Sequence, residues 1–209
     1  MIILKNISYT TNSNEKILDD INLNIKKGEF VVITGKSGSG KTMLLRAVSG
    51  LIRPTKGSVI VDGKYLHKDI SFPQDMGIII EKPDLLNYLT GFENLSFLAK
   101  INNKISKDEI ENWMKKFSLD PKSKQVLKKY SLGMKQKIGI IQAIMEDQQL
   151  LVLDEPFNAL DQDTVEMLRV LLKKYKDDGK LIIITSHHSE DIDILCDEII
   201  FIEEGKLIT

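Results

Sequence analysis

The chain has 209 residues, 42% of them hydrophobic, which is enough to bury one sizeable core and leaves room for an inserted sub-domain. Its 29 basic and 30 acidic residues give a formal net charge of -1, so no field of one sign supports a nucleic-acid partner. A single cysteine excludes an internal disulfide, and no apolar run approaches the roughly 20 residues of a membrane helix. Since the start of the chain also lacks the pattern of a signal peptide, we expect a cytoplasmic protein.

The first third of the chain predicts mostly β-strands. Residues 1–10, 21–25 and 29–34 are β-rich and are separated by polar turns. The run VVIT at residues 31–34 is continuously apolar, as in a strand that a parallel sheet buries on both faces. The sequence GKTMLLRAVSGL that follows predicts a helix whose apolar face ends with Leu51.

The middle of the chain has a helical character. Three segments between about residues 84 and 147 have helical patterns, and Ser106 with Glu109 forms a predicted capping box at the start of the second. This region lies between two parts of the chain that are rich in strands. It therefore predicts a helical insert in a larger fold.

Strands and helices alternate again after the helical region. The end of the chain predicts a helix at residues 189–196 and a hairpin at residues 198–209. The alternation on both sides of the insert predicts an α/β core of about residues 1–83 and 148–209. The helical sub-domain is then expected at about residues 84–147.

A glycine-rich loop at residues 35–42, GKSGSGKT, matches the pattern G-x-x-x-x-G-K-S/T between a predicted strand and a predicted helix. Its glycines allow backbone N–H groups to wrap phosphate oxygens at the positive end of a helix dipole. Lys41 is expected to bridge the β- and γ-phosphates, and the Thr42 hydroxyl to bind Mg²⁺. The residues assigned to nucleotide binding are Gly35, Lys36, Ser37, Gly38, Ser39, Gly40, Lys41 and Thr42.

This loop predicts binding of a nucleoside triphosphate, because a chance turn would not sit between a strand and a helix in this way. It does not distinguish among kinases, GTPases, motors and transport ATPases. A GTPase should also carry the base-reading pattern N-K-x-D, which is absent from the sequence.

Two acidic residues follow the apolar strand LLVL, in the segment LLVLDEP at residues 150–156. Asp154, at the tip of the strand, is predicted to reach the Mg²⁺ shell, and Glu155 to activate the attacking water as a general base. The alternative is an acidic strand end that caps the following helix. His187 ends a later strand and is expected to donate to the γ-phosphate or to Glu155, although a histidine in this place can also be structural.

The segment YSLGMKQK at residues 130–137 resembles the ABC transporter signature LSGGQ, with Ser131 and Gly133 at the matching serine and second glycine. The segment NALD that ends at Asp161 is similar to the D-loop of that family. With the phosphate loop, the LLVLDEP strand and His187, these motifs follow one another in the order of the family. The whole chain therefore resembles the ATP-binding subunit of an ABC transporter.

The resemblance implies a P-loop NTPase core with a mixed, largely parallel sheet, an antiparallel β region near the N-terminus and an inserted helical sub-domain. It implies two nucleotide-binding domains that meet head to tail around two ATP molecules, as a homodimer or as a heterodimer with a homologous subunit. Ser131 and Gly133 would contact ATP held by the partner, and Asp161 would also belong to the nucleotide site. An integral membrane permease on a separate chain would receive the energy of hydrolysis, so this chain would be peripheral to the inner face of the membrane.

Glu81 departs from the family pattern, because it follows the strand at residues 76–80 where the family usually has the glutamine of its Q-loop. That glutamine touches Mg²⁺ and the attacking water, and a carboxylate can still ligate a hard cation through oxygen. Glu81 is therefore expected to act in catalysis and, with Thr42 and Asp154, in binding Mg²⁺. A glutamate here, with SLGMKQK downstream, resembles transporters that export bacitracin-like or lantibiotic peptides and confer resistance or immunity.

One alternative is a soluble ABC-type ATPase that acts on ribosomes or DNA. Such proteins usually carry two ATPase domains or a long coiled coil, and 209 residues leave room for neither. The residue that contacts adenine stays open at this point. Thr11 occupies the position where the family commonly has an aromatic residue, and Tyr9 either stacks on the base or packs in the sheet.

Overall fold

The structure is a computed structural model that describes residues 1–83, 85–187, 190 and 194–208. The strands within these residues are β1 (Ile2–Thr10), β2 (Lys16–Ile25), β3 (Phe30–Thr34), β4 (Lys56–Val61), β5 (Lys64–Tyr65), β6 (Met76–Ile79), β7 (Leu150–Leu153), β8 (Leu181–Thr185), β9 (Glu198–Glu203) and β10 (Lys206–Ile208). The α-helices are α1 (Lys41–Val48), α2 (Gly91–Asn102), α3 (Lys107–Lys116), α4 (Leu132–Ile144) and α5 (Gln162–Asp177).

The larger sheet has six strands in the order β10-β9-β3-β8-β7-β6. All its neighbours pair in parallel except the final hairpin of β9 and β10. In β3, Phe30 and Val32 point into one core cluster, while Val31 and Ile33 point into another on the opposite face. Because both faces are covered, the apolar run predicted from the sequence is buried from Val31 to Ile33, and Thr34 at its end is partly buried.

The smaller sheet is antiparallel, with the order β2-β1-β4-β5. Together with α1 it covers one face of the six-stranded sheet, where their apolar side chains form a single cluster. Helices α2 to α5 contribute to the cluster on the other face. The predicted α/β fold, with an antiparallel N-terminal region and a mixed sheet, is confirmed.

Helices α2, α3 and α4 lie between β6 and β7 in the chain and pack on one another. The capping box predicted at Ser106 and Glu109 is present, and Thr90 with Glu93 forms a second one at the start of α2. The boundaries of core and helical sub-domains stay a prediction, because α4 also packs against β6.

Helix α4 lies very close to the sheet and to the segment that follows it. A Cβ atom on Gly77 in β6 would overlap the carbonyl oxygen of Ala143, and one on Gly139 would overlap the ring of Pro83. Since Gly139 and Ala143 are one turn apart, these contacts lie on the same face of α4. The absence of side chains at both glycines is what permits this close packing.

Replacing Gly77 by alanine is expected to lower the free energy of unfolding by about 3 kcal/mol, the upper part of the range for overpacked cores. The new methyl group would meet backbone rather than a flexible side chain, so helix or strand must shift. Urea unfolding of Gly77→Ala measures this change. Gly63→Ala is the control, because its Cβ would meet nothing within 4 Å and only its positive φ adds strain, of about 1 kcal/mol. Equal losses in the two variants would contradict the steric argument.

The helix α1 ends at Val48, and Gly50 takes a positive φ of 79°, so Leu51 is 52% exposed and the prediction that it extends the apolar face is wrong. Half of the helix predicted at residues 189–196 lies outside the described residues. None of the helices in the described part of the chain is long and apolar enough to cross a membrane.

Candidate functional site

The glycine-rich loop connects β3 to the start of α1, as predicted. A Cβ atom on Gly35 would overlap the carbonyl oxygen of Ile202 in β9, so only glycine allows the loop to pass this strand. Gly40, immediately before α1, has a φ of 108°, which is also a glycine conformation. The loop therefore ends at a helix N-terminus, where backbone N–H groups are available to an anion.

Lys41 begins α1 and turns its side chain back over the loop. Its Nζ donates to the carbonyl oxygens of Gly35, at 2.7 Å, and Lys36, at 3.0 Å. The residue is only 8% exposed. The ammonium group is thus held where the loop would enclose phosphate, and its carbonyl partners can be exchanged for phosphate oxygens.

Asp154 follows β7 and joins three parts of the fold through its carboxylate. Oδ2 accepts from the Thr42 hydroxyl at 2.9 Å, and Oδ1 accepts from the Thr185 hydroxyl at 2.6 Å. The residue is 6% exposed. The tips of β7 and β8 and the first turn of α1 therefore meet at one buried carboxylate, because parallel strands end on the same edge of the sheet.

Glu155 and His187 lie next to each other beside this carboxylate. Nε2 of His187 is 2.7 Å from Oε1 of Glu155, and the backbone N–H of Glu155 donates to the Thr185 hydroxyl at 2.8 Å. Glu155 has a φ of 47°, an uncommon conformation for a residue with a side chain. Such strain is often found at functional sites, where the surrounding structure maintains it.

These residues line an open cleft of about 480 Å³. Its lining consists of Glu15, Ile17, Ser37, Gly38, Gly40, Lys41, Thr42, Met43, Asp154, Glu155 and His187. The other predicted members of the loop, Gly35, Lys36 and Ser39, shape it without lining the cleft. Tyr9 does not line the cleft either, because it packs against the core cluster on the α1 face of the large sheet.

Glu81 lies beside Asp154, two residues after the end of β6. Its backbone N–H donates to Asp154 Oδ2 at 3.4 Å, whereas its side-chain Oε1 accepts from Arg46 Nη2 at 2.8 Å. Its φ is 60°. We call the oxygen atoms of Thr42 and Asp154, where Mg²⁺ is predicted to bind, the predicted metal edge. The backbone of Glu81 therefore contacts this edge, while its carboxylate is paired with Arg46 of α1.

Ser131 and Gly133 are at the N-terminus of α4 and do not line the cleft. The Ser131 hydroxyl caps the helix by accepting from the backbone N–H of Met134 at 3.2 Å. Gly133 packs against the segment after Glu155, where a Cβ atom would overlap the carbonyl oxygen of Ala159. The start of α4 is exposed, and a helix N-terminus of this kind suits an anion.

Asp161, the last residue of the NALD segment, is engaged within the chain. Its carboxylate caps α5 by accepting from the Thr164 N–H at 3.0 Å, and its Oδ2 is 2.7 Å from Nζ of Lys137 in α4. Lys137 and these caps hold the pKa of Asp161 well below its usual range. Gln136, beside Lys137, donates to the carbonyl oxygens of Glu155 and Pro156. Helix α4 is thereby fastened to the segment that carries the predicted general base.

The sequence model of the family described as ABC transporter matches residues 18–158, more than half of the chain. The chain belongs to the ABC transporter family. It is an ATP-binding subunit and an ATPase of this family, as the resemblance implied. ATP-binding subunits of ABC transporters work with membrane permeases and dimerise.

Several relatives resemble this ABC subunit along most of its length. The uncharacterized ABC transporter ATP-binding protein YybJ of Bacillus subtilis is 45% identical over 98% of this chain and 92% of the relative. The bacitracin transport ATP-binding protein BcrA of Enterococcus faecalis is 35% identical over 100% of this chain and 70% of that protein. The lantibiotic transport ATP-binding protein SrtF of Streptococcus pyogenes is 35% identical over 92% and 82%, respectively.

A solved structure similar to the ABC subunit is that of the ATP-binding cassette MJ0796 in a dimeric post-hydrolysis state bound to ADP and Pi. It has a TM-score of 0.89 and 27% sequence identity, and the match covers 100% of this chain and 97% of that one. A dimeric structure of the same cassette matches with a TM-score of 0.88.

The oxygen donors around Asp154 in the ABC subunit fit Mg²⁺. A hydroxyl and a carboxylate are hard ligands, and Mg²⁺ is usually held by one or two such groups together with substrate phosphates. Across residues 1–83, 85–187, 190 and 194–208, no three His, Cys, Asp or Glu side chains cluster closely enough to hold a metal ion alone. The arrangement therefore suits a cation that arrives with a polyphosphate.

Several residues of the site were missed by the sequence analysis. Thr185 bonds both acidic residues after β7, and its only sequence signal was its place at the end of an apolar strand before His187. Arg46 looks like an ordinary polar helix residue in the sequence, and the place of Gln136 and Lys137 in the signature segment does not indicate which residues they contact. Their contacts join distant segments and can be read only from the fold.

Replacing Asp161 by asparagine in this ABC subunit is expected to lower the free energy of unfolding by about 1 kcal/mol at pH 7. Asparagine retains the cap, but Lys137, whose side chain is only 11% exposed, loses its partner. Because the pKa is lowered in the folded state, the charge contributes above the unfolded pKa of about 3.9 and is lost as the pH falls through the folded pKa.

Urea unfolding at pH 7 and pH 3.5 checks this, since the difference between wild type and Asp161→Asn should narrow at the lower pH. Asp163→Asn, an exposed acidic residue in the same helical turn, is the control and should change little at either pH. A difference that persists unchanged in acid would contradict the ion-pair explanation.

Proposed function

We propose that this chain hydrolyses ATP to drive a separate integral membrane permease that exports an antimicrobial peptide or a similar compound and so confers resistance or immunity. The observation that carries the ATPase role is the cleft in which the phosphate loop, Asp154 and the Glu155–His187 pair meet. The export role is supported by the similarity to bacitracin and lantibiotic transport proteins along most of their length. The chain would work on the cytoplasmic side of the membrane, attached through the permease.

The nucleotide would be bound by the loop from Gly35 to Thr42. Backbone N–H groups at the start of α1 would donate to the phosphates, and the Lys41 ammonium would leave its carbonyl partners for the β- and γ-phosphate oxygens. Thr42 and Asp154 would hold Mg²⁺, and Glu81 would add a further oxygen ligand when its carboxylate leaves Arg46. When bound, the cation neutralises charge on the β- and γ-phosphates. The open lining of Glu15 and Ile17 would leave the base without an aromatic platform.

Glu155 would act as the general base. Its carboxylate would take a proton from the water that attacks the γ-phosphate, and His187, 2.7 Å away, would orient this carboxylate and contact the γ-phosphate. The Thr185 hydroxyl, bonded to the backbone of Glu155 and to Asp154, would maintain the spacing between base and metal edge. Hydrolysis would therefore depend on the relative placement of two neighbouring acidic residues with different roles.

Two subunits would close head to tail over two ATP molecules. Ser131 and the backbone of Gly133 would reach the γ-phosphate of the ATP held by the partner, using the exposed N-terminus of α4. Asp161 would act near this interface through its contacts with α4 and α5. The pair could be two copies of this chain or this chain with a homologous subunit. Nucleic acid would have no part in this function.

The export role can be tested in a susceptible bacterial host. The chain is expressed with a candidate permease, a multi-span membrane protein of the same organism, and the minimal inhibitory concentrations of bacitracin and a lantibiotic are measured. Resistance that requires both proteins and is lost in Glu155→Gln is the expected result. Unchanged susceptibility in cells that contain both proteins, with ATP hydrolysis intact, would contradict export of these peptides while leaving the ATPase role standing.

A further inference from the structure

Arg46 is the partner of Glu81, the residue at which this chain departs from the usual glutamine. Nη2 of Arg46 is 2.8 Å from Oε1 of Glu81. The side chains are 35% and 60% exposed, so an ion pair of this kind adds little to stability. Its significance is therefore its position, next to the predicted metal edge.

Helix α1 presents two functional groups toward this edge. Thr42 and Arg46 are four residues apart and lie on the same side of the helix. The Thr42 hydroxyl bonds Asp154, while the Arg46 guanidinium bonds Glu81. One rigid helix thus fixes both the hydroxyl that would ligand Mg²⁺ and the cation that directs the nearby carboxylate.

The backbone and the side chain of Glu81 have different partners. The N–H of Glu81 reaches Asp154 Oδ2 at 3.4 Å, so its Cα is anchored beside the metal edge. The carboxylate is held by the guanidinium. Without Arg46, no other contact of Glu81 among the described residues would keep its carboxylate from turning toward a cation at Asp154. A neutral glutamine in this place would have less need of such a partner.

The Arg46–Glu81 pair is easily broken. Arg46 makes one hydrogen bond to the carboxylate, and its Nε is buried without an acceptor among the described residues. A two-bond, forked contact would be considerably stronger. A bound cation can therefore compete with the guanidinium for this carboxylate.

We propose that Arg46 is a positioning residue that holds the Glu81 carboxylate out of the metal site and thereby sets the Mg²⁺ concentration at which nucleotide binds. This inference rests on the proposed function. Removal of the guanidinium releases the carboxylate to act as an additional oxygen ligand. The Mg²⁺ requirement for nucleotide binding then falls, by about tenfold, the lower end of effects seen for groups that orient metal ligands.

The test measures binding of a fluorescent, non-hydrolysable ATP analogue to the full chain as a function of Mg²⁺ concentration. Arg46→Gln should lower the half-maximal Mg²⁺ concentration by about tenfold. Arg46→Lys, which retains the positive charge, should stay within about twofold of wild type. Arg53→Gln, an exposed arginine outside the cleft, is the matched control. A thermal melt of each variant verifies that the fold is retained.

The decisive comparison uses Glu81→Gln as the background. Adding Arg46→Gln to Glu81→Gln should cause no further change in the Mg²⁺ midpoint, because the carboxylate is already gone. A shift that survives in this background, an unshifted midpoint in Arg46→Gln, or a higher one would each overturn the inference. Failure of wild type to bind the analogue at any Mg²⁺ concentration would instead overturn the proposed function and this inference together.

Discussion

Glu155→Gln is expected to abolish ATP turnover and to leave ATP binding intact. The amide cannot accept the proton of the attacking water, and general-base catalysis contributes about 10²- to 10⁴-fold to such reactions. The amide has the same shape as the carboxylate, and the phosphate loop is separate from it, so affinity for ATP should change little. Release of phosphate measures turnover, and size-exclusion chromatography with ATP and Mg²⁺ should show a dimer that does not dissociate.

Glu111→Gln provides the matched control for this experiment. Glu111 lies on α3, is not part of the cleft lining, and pairs with Lys115 in the same helix. The Glu111→Gln variant should hydrolyse ATP at the wild-type rate. Undiminished turnover in Glu155→Gln would remove Glu155 from the role of general base, and a failure to bind ATP would indicate that the substitution disturbs the cleft itself.

Lys41→Ala is expected to weaken nucleotide binding strongly, whereas Glu155→Gln should leave it intact. The ammonium is buried over the loop and is expected to exchange two carbonyl partners for phosphate oxygens. Charge-assisted hydrogen bonds of this kind contribute about 1.5–3 kcal/mol each, so losing two of them weakens ATP binding by about 100-fold or more. Isothermal titration calorimetry with ATP measures the change.

Lys115→Ala, which removes an exposed lysine from α3, is the control for the loss of one positive charge. It should bind ATP as tightly as wild type. No ATP-dependent dimer should form with Lys41→Ala at ATP concentrations that saturate the wild-type chain. Wild-type affinity in Lys41→Ala would show that the loop binds phosphate through its backbone alone.

Local chemistry made much of this site predictable. The phosphate loop could be recognised because its glycines, lysine and threonine are consecutive in the chain. Asp154, Glu155 and His187 could be expected to meet because they follow buried strands, and parallel strands end on one edge of a sheet. The helix and strand patterns behind these predictions arise from two-sided burial of β3, β7 and β8, which leaves continuous apolar runs.

Other features depended on contacts between distant segments. Arg46 and Glu81 are separated by 35 positions, and nothing in either local sequence indicates that they meet. Likewise, the pairing of Lys137 with Asp161 depends on how α4 lies against the start of α5. The early end of α1 at Val48 was missed because Leu51 continues the apolar period, whereas the positive φ of Gly50 had no distinct signal within that pattern.

The two close glycine contacts of α4 determine how a tilt of this helix would move its two ends. Near its C-terminal end, Ala143 of α4 packs directly on Gly77 of β6. One turn earlier, Gly139 packs on the ring of Pro83. At a rise of about 1.5 Å per residue, Gly139 is about 6 Å and Ser131 about 18 Å from Ala143 along the helix axis. If α4 tilts about the contact between Ala143 and Gly77, Gly139 moves about one third as far as Ser131. Pro83, which packs on Gly139 and lies two residues after Glu81, would be displaced by that smaller distance.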